Sequence, residues 1–206
     1  GPKQEETMEI IRGKHASFMD ASAFAAHTNG YDSVQIDIGT GDGRYVRHIA
    51  QARPHSFIVG IDACRENLYE VSRRAPHNAL FVIANAKALP CELYGAASHI
   101  TINFPWGSLI EGLLADDPSL LAGLHALARP HVALDVRLNG GALTEAGWSF
   151  EDGARRVHRV LAANGFDMRP AVAMTAPDLK SFPTTWAKRL AYGRDPRAMY
   201  LRGMRK

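Results

Sequence analysis

Cysteine is nearly missing from this chain: the two residues, Cys64 and Cys91, form no CxxC pair and no Cys/His cluster. Neither a disulfide framework nor a zinc site is supported, no bound metal is expected, and a reducing compartment is the simplest setting. Long apolar runs are missing too; none approaches the ~18 residues that cross a membrane. The first residues lack the basic-then-apolar layout of a secretory leader, and Gly1-Pro2 reads as the remnant of a protease cleavage, outside the fold. A cytoplasmic protein without a membrane partner is expected. Repeats, low-complexity tracts and linkers between domains are absent as well, so the 206 residues are expected to form one domain. Hydrophobic residues at 46% and charged residues at 22% exclude collagen-like, coiled-coil and wholly disordered readings.

The net charge of +3 hides an asymmetry. Lys180, Lys188, Arg189, Arg194, Arg197, Arg202, Arg205 and Lys206 face a single acid, Asp195, over the last residues, so the basic character is C-terminal. Such a segment suits phosphate backbones, or it is a solvated tail that aids solubility; charge alone leaves both open.

Short runs rich in Val, Ile and Phe alternate with segments of helical spacing, the pattern of βα units around a mostly parallel sheet. Strands are predicted at 34–38, 57–62, 80–84, 98–103, 132–137, 166–175 and 199–204. Helices are predicted at 44–52, 65–74, 119–128, 150–164 and near 186–191, the fourth ending on Asn164-Gly165 as a C-cap. Residues 1–32 read as an extension that caps the sheet. The two prolines in 176–183 read as a loop, and segments 138–149 and 175–185 as inter-strand linkers carrying RNA or substrate contacts.

The first predicted strand ends in Asp37-Ile38-Gly39-Thr40-Gly41-Asp42-Gly43-Arg44 and opens a helix, the place where an α/β sheet binds nucleotides. Glycines there permit a tight turn and a close backbone approach to a ligand. Arg44 occupies the third glycine position of a dinucleotide fingerprint, so the pattern is DxGxGxG, followed by Asp62 at the end of the second strand. This order resembles class I methyltransferases that bind S-adenosylmethionine (SAM) and release S-adenosylhomocysteine. The resemblance implies a seven-stranded, Rossmann-like α/β fold with helices on both faces. It also implies that Asp62 accepts from the ribose hydroxyls, that Asp37 lies near the amino-acid end of the cofactor, and that Asn85, Ala86 and Lys87 meet the adenine edge. Gly39, Thr40, Gly41, Gly43 and Asn103 complete the implied cofactor set.

Two further motifs, Asn103-Phe104-Pro105-Trp106-Gly107 and Trp186-Ala187-Lys188-Arg189-Leu190-Ala191-Tyr192-Gly193-Arg194, narrow the resemblance. Together with Gly60-Ile61-Asp62-Ala63-Cys64-Arg65-Glu66-Asn67-Leu68, they are similar to the 16S rRNA (adenine 1408-N1) methyltransferases that confer aminoglycoside resistance. That resemblance runs from about Val34 to Arg194. It implies that Trp106 and Trp186 clamp a flipped adenine, with Phe104 and Pro105 as the pocket floor. Thr184 stands where the family has a serine.

Stacking on aromatic faces suits an unpaired base at roughly 1–3 kcal/mol each. Adenine N1 is already a nucleophile, so no general base is obligatory, and the charge developing on the base suits the tryptophan faces. His99 and His131 read as structural. Arg73 and Arg74 match a basic pair that the family sets against rRNA, with Lys188, Arg189 and Arg194 on a second edge. The implied partner is the 30S subunit around 16S rRNA helix 44, and the protein is expected to be a monomer. One departure stands out: relatives carry an acid where this chain has Lys87, a cation expected to repel positively charged SAM. That leaves two rivals, a related methyltransferase acting on another RNA site and a ribosome-binding homologue with little turnover.

Overall fold

Backbone pairing in the computed structural model, which describes residues 7–206, explains why the apolar runs are so unbroken. Gly1-Pro2 lies outside the described residues. The chain opens with a hairpin, β1 (Met8–Arg12) and β2 (His15–Met19), and a helix, α1 (Ala21–Thr28). Then come β3 (Ser33–Ile38), α2 (Arg44–Ala52), β4 (Ser56–Asp62), α3 (Arg65–Arg73) and β5 (Ala79–Ile83). A short 3-10 turn at Cys91–Leu93 leads to β6 (Ala97–Asn103), α4 (Gly107–Leu114), α5 (Pro118–Leu127) and β7 (Ala128–Asn139). The chain closes through α6 (Gly140–Glu145), α7 (Phe150–Ala163), β8 (Phe166–Met168), β9 (Val172–Ala173), α8 (Ala176–Ser181), α9 (Thr185–Ala191) and β10 (Ala198–Arg205).

The sheet runs β2-β1-β5-β4-β3-β6-β7-β10-β8, with β9 also on β10. Strands β5, β4, β3, β6 and β7 are parallel, and β10 is antiparallel to β7, β8 and β9. Parallel strands covered on both faces read as continuous apolar runs, which is why the sequence shows them. On β3, Val34, Ile36 and Ile38 join the large core with Leu113, Leu124 and Val157, so α4, α5 and α7 cover that face. The alternate residues Gln35 and Asp37 point to the opposite face, where α2 and α3 pack over Ile58 and Phe81.

Several expectations need correction. The N-terminal extension adds strands instead of only capping: β1 pairs antiparallel with β5 at Ile10 and Val82, and this hairpin, with the division of the strand predicted at 166–175, gives ten strands among the described residues where seven were predicted. Helix α1 lies against the sheet, its Phe24 ring edge-on to Phe57 at 6.3 Å. The strand predicted at 166–175 breaks into β8 and β9 around Pro170, which has no N–H to give a ladder. Segment 176–183 is not a loop throughout. Thr175 and Asp178 form a reciprocal capping box, and Pro177 sits in the first turn of α8, where its missing N–H costs nothing. Half of the 138–149 linker is α6, which Asn139, the last residue of β7, caps through a 2.7 Å bond from Ala142 N.

Gly43 is a backbone requirement. It stands at φ +73, and a Cβ there would lie 2.6 Å from both Phe81 and Val71. Gly43→Ala is expected to cost about 2–4 kcal/mol through left-handed strain and overpacking, read as a fall in Tm.

Candidate active site

The glycine turn after β3 and the ends of β4, β5 and β6 open onto one cavity of about 520 Å³ at the carboxyl edge of the sheet. It brings together Asp37, Gly39, Thr40, Gly41, Asp62, Asn85, Ala86, Lys87 and Asn103 with Phe104, Pro105, Trp106, Thr184 and Trp186. Gly43 is the exception among the implied cofactor residues. It faces Phe81 and Val71 below the turn, so it shapes the loop and does not border the cavity.

The loop is held by its own acid. Asp62 accepts from Gly41 N at 3.1 Å through one oxygen, and from Cys64 N and the Asn67 amide, both at 3.1 Å, through the other. Gly41, at φ +62, has nothing within 4 Å of an added Cβ, so a side chain there would project into open space at the cavity. Cys64 and Asn67 also line the cavity, and the motif reading passed over both.

At the other side of the loop Asp37 is 2% exposed, and its Oδ1 accepts from Thr101 Oγ1 at 2.7 Å and Asn103 Nδ2 at 3.0 Å. Burial pushes the Asp37 carboxyl up to about 6, against the downward pull of Thr101, Thr40, Arg137 and Asn103. A proton therefore goes on as the pH falls below neutrality, with opposite consequences for ligand and fold. The neutral acid no longer attracts a cationic ligand such as the SAM implied by sequence. Yet the folded-state value lies above the unfolded one, so this group's stabilising effect is full below the unfolded value and is lost as pH rises through 6. Calorimetry is expected to show weaker SAM binding at about pH 5.5 than at about pH 7.5, with the difference abolished in Asp37→Asn.

Lys87 does not stand alone as the sequence suggested. Its Nζ lies 3.4 Å from Asp117 Oδ2, and Asp117 caps α5 by accepting from Leu120 N at 3.0 Å. The repulsion expected from this cation is thus offset by an acid brought in from the α4–α5 corner. Because the Lys87 side chain is 45% exposed, solvent screens what remains. Lys87→Ala is expected to change SAM affinity by less than about threefold, as calorimetry would show.

On the rim, Phe104 takes φ +52 and is buried, with its ring 4.9 Å from that of Trp186. Trp106 and Trp186 are 44% and 36% exposed, large apolar rings left facing solvent at the cavity mouth. Their centroids are 6.3 Å apart, but the planes cross at 78°. The structure brings the pair together edge to face, so one ring must turn before a flat base can lie between parallel faces. Thr184 lines the cavity, and its hydroxyl accepts from Ala187 N at 3.1 Å as the cap of α9.

The basic residues fall into two groups. Lys188, Arg189 and Arg194 are exposed on and just after α9, the helix that carries Trp186. Arg73 and Arg74 are exposed at the far end of α3, which starts at the cavity and runs back toward the other edge of the sheet. Arg73 also meets Glu70 at 3.3 Å. His99 lies outside the cavity, its Nε2 2.5 Å from Asp135 Oδ2; His131 is exposed at φ +63. Among the described residues no helix is long and apolar enough to cross a membrane.

Comparison with known proteins gives a consistent result. The family model described as NpmA: 16S rRNA (adenine(1408)-N(1))-methyltransferase matches residues 9–205. A 16S rRNA (adenine(1408)-N(1))-methyltransferase of Escherichia coli is 28% identical over 208 residues, covering 91% of this chain and 94% of that protein. One from Streptoalloteichus hindustanus is 30% identical over 204 residues with the same coverage. The solved structure of the 16S rRNA methyltransferase KamB has a TM-score of 0.87 at 27% identity, covering 97% of this chain and 100% of that one.

Proposed function

The chain belongs to the 16S rRNA (adenine(1408)-N(1))-methyltransferase family, and on that footing we propose that its cavity binds SAM and its rim presents adenine 1408 of the assembled 30S subunit for methylation at N1. The observation that carries this reading is the single cavity joining the Asp37–Asp62 glycine loop to the Trp106–Trp186 rim. The residues fit SAM: a buried carboxylate for an ammonium at one end, an acceptor-only Asp62 for hydroxyls, and open space over Gly41. Bound there, SAM supplies a methyl group on a sulfonium, a strong electrophile.

The protein's own part is positioning. Trp106 and Trp186 stack the flipped base, Phe104 supports Trp186 from below, and Pro105 is buried at the floor. Adenine N1 brings its own lone pair, so no side chain need remove a proton. The positive charge that forms on the base is stabilised by the faces of the two tryptophans. Holding two reactants in line accounts for much of the rate in such a transfer.

Lys188, Arg189 and Arg194 contact phosphates beside the base, and Arg73 and Arg74 contact them about one helix length away, ~13 Å along α3. Recognition is then of the folded subunit around helix 44 more than of a sequence. The enzyme acts in the cytoplasm as a monomer, and the methyl, placed on the Watson–Crick edge, gives aminoglycoside resistance. The pairing of Lys87 with Asp117 weighs against the low-turnover rival. Transfer of labelled methyl from SAM to purified 30S subunits tests the reading. Incorporation into 30S and not into tRNA is the expected result; incorporation into tRNA alone would move the reading to the other RNA site.

A further inference from the structure

Arg137 is a charged residue near the C-terminal end of β7, opposite Asn103 at the end of β6, and its contacts join the two halves of the site. Its guanidinium Nη1 donates to Asn103 Oδ1 at 2.8 Å, while the other end of the same amide donates to Asp37 at 3.0 Å. A donor-only group on one side and a carboxylate on the other fix which way that amide points. The backbone carbonyl of Arg137 accepts from Phe104 N at 2.8 Å, the positive-φ residue that follows Asn103 in the rim motif. The flat guanidinium also lies over two rings, 4.7 Å from the centre of Phe182 and 4.9 Å from that of Tyr200. Phe182 in turn lies edge-on to Phe104 at 5.5 Å and stacks on Tyr45 at 5.4 Å. One side chain therefore touches the cofactor-side network through its edge and the ring cluster beneath Trp186 through its face.

We propose that Arg137 is a positioning residue that couples the cofactor pocket to the base-binding rim, holding Asn103 against Asp37 and Phe182 beneath Phe104. A ligand on Asp37 is then felt at Trp186 through an unbroken line of contacts. Arginine suits the place because it stacks and donates at once. Lysine keeps the charge but has no plane to lay against the rings.

This rests on the proposed function, and the test separates the two. SAM affinity, Tm, and kcat and KM on 30S subunits are measured for the wild type, Arg137→Met and Arg137→Lys. Tryptophan emission with and without S-adenosylhomocysteine is recorded in a Trp148→Phe background, which leaves Trp106 and Trp186 as reporters. Arg137→Met is expected to bind SAM within about tenfold of wild type. Its kcat is expected to fall on the order of 100-fold, as misplacement of a held reactant does. Arg137→Lys is expected to recover little, and in both variants the ligand-induced emission change is lost. Retention of kcat, or an emission change that survives in the variants or is missing from the wild type, overturns the proposal. Should Arg137→Met fail to fold, Arg137→Lys is read the same way. A wild type that methylates no 30S overturns the proposed function, while the emission measurement still decides the coupling.

Discussion

Trp106→Ala lowers kcat/KM on 30S subunits by about 10- to 100-fold, the loss of one stacking face at roughly 1–3 kcal/mol, and leaves SAM affinity within about twofold. Trp186→Ala behaves likewise. Both rings stand at the mouth of the cavity and are largely free of the core, so removing either should leave the fold intact. Trp186 touches Phe104, and its loss opens a gap on that side; Trp106 has α6 at its edge, where a Cβ on Gly141 would sit 3.5 Å away. Because the proposed function has the two rings grip one base, the double variant is expected to lose less than the product of the single losses. Phenylalanine at either place should restore part of the activity, since it keeps a π face of smaller area. Steady-state kinetics with saturating SAM, beside calorimetry of SAM alone, checks the separation. Loss of SAM binding in either alanine variant would count against a role confined to the base.

Asp62→Asn is the counterpart on the cofactor side, expected to weaken SAM binding by about 100-fold while binding to 30S subunits changes little. Hydrogen bonds to a charged acceptor contribute about 1.5–3 kcal/mol, so losing the proposed ionised contact to the ribose is sufficient for that factor. The amide adds a second fault. Asp62 uses both oxygens to hold N–H donors, at Gly41 and at Cys64 with Asn67, and an amide must turn an NH2 toward one of them. The glycine turn is then expected to loosen even without ligand. Titration of SAM and S-adenosylhomocysteine gives the test: both should weaken together, because the ribose is common to them.

How much of this was open to reading depends on the range of the interactions. The parallel strands were legible because each is buried on both faces, and the turn from Asp37 to Gly43 because positive φ demands glycine in a fixed place. The hairpin was not, since β2 carries exposed residues and pairs on one side only. Helix α8 was hidden by a correct rule applied at the wrong position, Pro177 being harmless in a first turn. Helix α4 starts on Gly107 at φ +54 without a side-chain cap, which left no start signal. At the site, side-chain identity was legible and pairing was not: Asp117 reaches Lys87, and Phe182 reaches Arg137, from distant parts of the chain. A cation inside the apolar strand at 132–137 was a signal that motif reading alone passed over. The 78° angle between the tryptophans belongs to the fold and to no motif.

The most direct measurement is primer extension on 16S rRNA taken from 30S subunits incubated with the protein and SAM. A methyl on N1 blocks Watson–Crick pairing, so the account predicts a stop at adenine 1408 that disappears when SAM is omitted and in Trp106→Ala. Labelled methyl in the subunit with read-through at that adenine, or a stop elsewhere, would contradict it.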